Sequence, residues 1–188
     1  FAHANGGTAH SLERHVVRNL TREGFTIISW ESIATAQSGA DLKTIWEDSF
    51  LAFEWIKDNA TRYRLDPDNI IVGGRSRGTG ASWKLAHSLD PSIKGLYMIQ
   101  ALGDRHWLDL SLFDPRKNVT AKSPPLFLPY FLEPGTTDSH DPEHGFKIVK
   151  RYEELEIGDK ITLEHSLKSR ANKDPYQFFS EFAASLVD

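Results

Sequence analysis

Apolar residues along this chain fall into two alternating rhythms. Leu12, Val16 and Leu20 lie on one stripe of helical spacing that opens at Ser11 and closes at Gly24. The run Phe25-Thr26-Ile27-Ile28-Ser29-Trp30 is β-branched and aromatic, and reads as a strand. A polar loop leads to Asp41, after which Leu42, Ile45, Trp46, Phe50, Phe53 and Ile56 recur every three or four residues. That spacing predicts a helix with a broad apolar face, stopped by Asp66-Pro67-Asp68. Asn69-Ile70-Ile71-Val72-Gly73-Gly74 is an unbroken apolar run, the mark of a strand covered on both faces. It passes through Arg75-Ser76-Arg77 straight into the small-residue helix start Gly78-Thr79-Gly80-Ala81. Further strands are predicted over 94–101, 124–132 and 161–167. Between them a helix capped by Asp141 runs to Leu155, and Asp174-Pro175 opens a last helix carrying Phe178, Phe182 and Leu186. The polar, irregular stretch 103–123 is expected to form a lid or pocket wall, and Phe1-Ala2 to be the end of a strand. Strands alternating with helices predict one α/β domain spanning 1–188, with a mostly parallel sheet and helices on both faces.

Composition narrows the function. At 188 residues and 39% apolar content the chain can bury a core of its own. Its net charge of −4 gives no general attraction to phosphate backbones, which argues against a nucleic-acid partner. No apolar stretch reaches the roughly 18 residues that a membrane-spanning helix needs. The absence of cysteine removes disulfides, thiolate metal sites and cysteine nucleophiles. Three N-x-T sequences, at Asn19, Asn59 and Asn118, lead us to expect a secreted glycoprotein, with accidental matches in a cytoplasmic chain as the alternative.

The chemistry gathers at Gly74-Arg75-Ser76-Arg77-Gly78, which matches G-x-S-x-G. In that motif a serine sits on a sharp strand-to-helix turn, and the glycines let the two elements approach. The serine then lies at a helix N-terminus, where backbone N–H groups and the helix dipole favour an oxyanion. Such a site suits acyl transfer, with Ser76 as nucleophile.

With this motif in place the sequence resembles the α/β-hydrolase fold, and within it the carboxylesterase branch related to hormone-sensitive lipase. His3-Ala4-Asn5-Gly6-Gly7 is similar to that branch's His-Gly-Gly-Gly loop, and Glu23 to Trp30 to the strand after it. Trp46-Glu47-Asp48 through Gly80 looks like its helix–strand–elbow block. The resemblance implies that the family's first two strands are missing and that Asn5, Gly6 and Arg77 supply the oxyanion hole. It also implies that Asp138, in the Pro-Gly-Thr-Thr-Asp turn, is the triad carboxylate, with Asp141 as its competitor. It implies no cofactor. The family's histidine turn reads Lys168-Ser169-Arg170-Ala171-Asn172-Lys173, without a histidine.

The base must then come from elsewhere. His165, near the end of the last strand, is the first candidate for it. His140 and His144 form an H-x-x-E-H string, but Pro142 puts the helix start between them, which excludes a zinc site of that type. Either could still reach the mouth of the site as base or substrate-binding residue. His10, His15, His87 and His106 read as surface residues. Arg75 and Arg77 bracket the nucleophile, and the guanidinium of either is a candidate for binding an acidic group; the Ser-Arg pair is similar to glucuronoyl esterases. Two functions follow: a serine esterase acting on a small-molecule or glycan ester, and a hydrolase-like binding module that has lost its base.

Overall fold

The computed structural model describes residues 1–4, 7–12, 14–32, 42–102, 115–136, 138–166 and 175–186. Strands β1 (Ile70–Arg75), β2 (Ile93–Ile99), β3 (Leu126–Pro129) and β4 (Ile161–Glu164) lie side by side in chain order, every neighbour parallel. Parallel neighbours need a crossover. Helix α4 (Gly78–Ala86) lies between β1 and β2, and α6 (Glu143–Glu154) between β3 and β4. Past β1 the sheet continues through two parallel bridges, from Ala2 to Gly74 and from Ala2 to Trp30. Ala2 donates its N–H to Gly73 O at 2.8 Å and accepts from Arg75 N–H at 3.1 Å.

Alternation along the strands divides the core. Leu96, Met98, Leu126 and Leu128 point to one face, where Trp83 of α4, Ile148 and Tyr152 of α6 and Phe53 of α2 (Leu42–Asp58) cover them. Tyr97, Ile99 and Phe127 point to the other, against Leu20 of α1 (Arg14–Arg22) and Phe179 and Ala183 of α7 (Pro175–Ala184). There Tyr97 stacks between Phe127 and Phe179, with ring centroids 5.3 and 4.1 Å away. Burial on both faces is why these strands read as unbroken apolar runs. Each such side chain contributes about 1.5–3 kcal/mol when fully buried.

Several expectations need correction. The strand expected over 25–30 is a single bridge, Trp30 to Ala2, flanked by two hydrogen bonds to Phe1: the Phe1 amino group donates to Ile28 O at 2.6 Å and the Phe1 carbonyl accepts Trp30 N–H at 3.4 Å. Phe25 and Ile27 still pack onto the α1/α7 face with strand-like alternation. The lid expected over 103–123 lies outside the described residues as far as 114. Beyond that the chain forms α5 (Pro115–Asn118), drops Val119 into the core and closes a turn in which Ser123 N–H donates to Thr120 O at 2.9 Å. A one-turn helix the sequence did not suggest, α3 (Ala60–Tyr63), follows α2 and ends at Arg64 in the left-handed region, φ 56°. His87 is no surface residue. Its ring stacks on Trp83 with centroids 4.0 Å apart, and burial pushes its pKa down to about 4. Its Nδ1 is bonded to Trp83 O at 2.9 Å, while its buried Nε2 finds no partner.

Candidate active site

Ser76 stands where β1 becomes α4, and the packing there explains the sequence around it. Its φ is 50°, a left-handed backbone that a non-glycine residue adopts at a cost of order 1–2 kcal/mol. The turn is locked on both sides. Ser76 N–H donates to Ile99 O at 3.0 Å, and Ser76 O accepts from Thr79 N–H at 2.9 Å and from Thr79 Oγ1 at 2.5 Å. A Cβ on Gly74 would sit 2.4 Å from Gly78 O, and one on Gly78 would sit 2.2 Å from Ala2 O. Both motif glycines are therefore dictated by backbone-to-backbone approach. Gly78 through Trp83 are all buried, so α4 starts inside the protein and presents its N-terminal end at Ser76.

The partner of Ser76 arrives on the turn between β3 and α6. Gly135, at φ 83°, bends the chain back, and Asp138 and His140 follow within one short hook. Asp138 Oδ1 accepts the backbone N–H of His140 at 2.8 Å and lies 3.2 Å from His140 Nδ1. His140 Nε2 lies 2.9 Å from Ser76 Oγ. A carboxylate at Nδ1 puts the ring hydrogen there, which leaves Nε2 to accept from the serine hydroxyl. The His140 backbone N–H, then the charge the ring carries when protonated and its hydrogen bond, hold the Asp138 carboxyl below the usual carboxylate range. The Asp138 side chain is 49% exposed and that of His140 25%, so water screens the pair on one side.

The imidazole against Ser76 is thus that of His140, where the sequence had put His165 first. His165 turns away: its Nδ1 meets Ser166 Oγ at 2.7 Å, its ring stands edge-on to Phe146, and Ser166 Oγ donates to Glu133. The chain has left β4 at Glu164, and Ser166 turns it at φ 59°, so nearness to the strand end does not bring His165 to Ser76. A signal for His140 was present, since an acid and a histidine two residues apart on a strand-end turn can hydrogen-bond locally. His144 lies in the first turn of α6 with its Nδ1 buried. Pro142, not Asp141, stands at the N-cap of α6; Asp141, one residue earlier, still accepts Glu143 N–H at 3.0 Å.

Asn5 and Gly6 lie outside the described residues; beside them His3 is buried and its Nδ1 is bonded to Ala4 O at 2.8 Å. Arg77 directly follows Ser76 at the start of α4 and, with His3, Trp30, Ser32 and Gly78, lines a narrow cleft beside the elbow. Arg75 reaches across the sheet end, its guanidinium 5.8 Å from the ring centre of Phe131. Among the described residues no three His, Cys, Asp or Glu side chains gather as metal ligands would, and no helix is long and apolar enough to cross a membrane.

No family model and no curated protein matches this chain. Solved structures do match it in fold. A sugar hydrolase from Lactococcus lactis superposes with a TM-score of 0.68 at 15% identity, covering 98% of this chain and 87% of its own. A truncated carbohydrate esterase from gut microbiota gives 0.66 at 13% identity, covering 91% and 77%. Esterase 2 of Thermogutta terrifontis, captured phosphorylated by paraoxon, gives 0.62 at 12% identity, covering 81% and 67%. The parallel sheet, the flanking helices and these likenesses define the fold as that of the α/β-hydrolases. The similar structures are those of hydrolases, esterases among them.

Proposed function

We propose that this protein is a serine hydrolase that cleaves carboxylic esters, with Ser76 as nucleophile, His140 as general base and then acid, and Asp138 as the carboxylate that orients and charges-balances the ring. The reading is carried by one observation: Ser76 Oγ lies 2.9 Å from an imidazole nitrogen whose other nitrogen faces a carboxylate. In the first step the Ser76 proton passes to His140 Nε2 as Oγ bonds to the ester carbonyl carbon. The oxyanion so formed meets the Arg77 N–H at the start of α4, with Asn5 and Gly6 in the roles that the resemblance gives them. Collapse expels the alcohol, which takes the proton from His140. Water, activated by the same ring, then frees the acid.

The same contact weighs against the binding module, whose case rested on a missing base. Carbohydrate ester substrates are a natural class to try first, since the similar structures include a carbohydrate esterase and a sugar hydrolase. A fluorophosphonate probe is expected to label the folded protein at Ser76, and Ser76→Ala to abolish both labelling and short-chain ester hydrolysis. Folded wild-type protein that takes up no label, or that is labelled at another residue, would end this reading.

A further inference from the structure

Acid and base of the proposed site sit two residues apart in a single surface turn, so something must hold that turn to the tolerance that proton transfer demands. The neighbouring carboxylate does so. Asp141 is 4% exposed, and its Oδ1 accepts two backbone N–H groups, from Gly135 at 3.1 Å before the hook and from Glu143 at 3.0 Å after it. Thr136 Oγ1 lies 3.5 Å from Oδ2. Its backbone joins in as well: Asp141 N–H donates to Asp138 O and Asp141 O accepts His144 N–H, both at 3.1 Å. Residues 135 and 143 bracket Asp138 and His140, and one buried oxygen ties the two ends together.

We infer that Asp141 is a positioning residue: its buried carboxylate closes the 135–143 turn and thereby sets the Asp138–His140 pair against Ser76. The inference rests on the esterase reading above. It goes beyond helix capping, because a cap alone would stabilise α6 without governing the ring of His140. The two backbone bonds come from neutral N–H groups, so an amide oxygen in the same place can accept both.

The test compares Asp141→Ala and Asp141→Asn in the full chain, well below the melting temperature of each variant, with circular dichroism showing both folded. The readouts are the rate of fluorophosphonate labelling at Ser76, the split between kcat and KM for a short-chain ester, and the ring nitrogen shifts of His140 in 15N spectra. Asp141→Ala is expected to lower labelling and kcat at least tenfold with KM within twofold. It should also move the His140 ring shifts towards those of Asp138→Ala. Asp141→Asn, which can accept the same two bonds, is expected to stay within about threefold of wild type. If Asp141→Ala does not fold, Gly135→Ala replaces it: its Cβ meets nothing within 4 Å but is strained at φ 83°, which loosens the same turn from its other end. A folded Asp141→Ala that labels at the wild-type rate with unmoved ring shifts overturns the positioning role alone, provided His140→Ala is inactive. Wild-type protein without label removes both the esterase reading and this inference.

Discussion

The two halves of the site are built in opposite ways. The elbow that carries Ser76 is part of the core: its glycines touch backbone, its helix starts buried, and its strand is covered on both faces. The hook that carries Asp138 and His140 is a partly exposed turn, held by hydrogen bonds among residues fewer than ten positions apart. One half is fixed by packing and the other by local polar contacts. Changes in the elbow should therefore act first on stability, and changes in the hook on activity at nearly constant stability.

The largest effect is expected at Gly78. Alanine there places a Cβ 2.2 Å from Ala2 O, a backbone atom that cannot swing aside, and should cost about 3 kcal/mol or more. Gly135→Ala in the hook meets no atom and should cost about 1 kcal/mol from its left-handed backbone alone. Urea unfolding of the two variants measures the contrast, and equal losses would erase it.

Next in size is Asp138→Asn. Removing the carboxylate from His140 Nδ1 should lower kcat by about 10–100-fold, at the modest end for a general-base system because the acid is half exposed. The melting temperature should shift little. A large fall in melting temperature with unchanged kcat would mean that the hook is structural.

A smaller effect concerns pH and belongs to the core side. His87 has its folded pKa lowered to about 4, against about 6.5 when unfolded, so the unfolded chain binds the extra proton between these values. Stability is full above pH 6.5 and falls as pH drops through this window, by about 1–2 kcal/mol from pH 7 to 5. His87→Phe, which cannot be protonated, should flatten that slope in urea titrations at the two pH values.

The smallest effect is expected from the arginines. Arg75, lying over Phe131, should give up about 0.5–1 kcal/mol of stability as alanine, with little change in substrate preference. Arg77→Ala is the variant expected to lower kcat/KM for an anionic ester more than for its neutral match. Identical ratios in both variants would remove the acidic-substrate idea.

What the sequence made legible follows the same division. The strand–elbow–helix block was readable from Ile70 to Ala86, because packing against fixed backbone leaves a compositional trace: apolar run, paired glycines, small residues. The imidazole proposed as base was not readable in that way. His140 is set by a turn whose geometry comes from Gly135 at φ 83° and from the Asp141 carboxylate, neither of which shows in periodicity. His165 is a candidate by its place near the end of the last strand, but the chain leaves β4 at Glu164 and turns at Ser166, which takes its ring to Ser166 Oγ and Phe146 instead. The edge segment 25–30 kept its side-chain alternation but not its ladder, since pairing depends on a neighbour that its own sequence does not encode.

The central claim is that Ser76 is activated from the hook, by His140. It is tested most directly by the fluorophosphonate labelling rate of Ser76 in His140→Ala and His165→Ala, measured side by side on folded protein. The account predicts a fall of about 10²–10⁴-fold for His140→Ala, the range a lost general base gives, and a rate within about threefold of wild type for His165→Ala. Unchanged labelling in His140→Ala, with loss in His165→Ala, would contradict it.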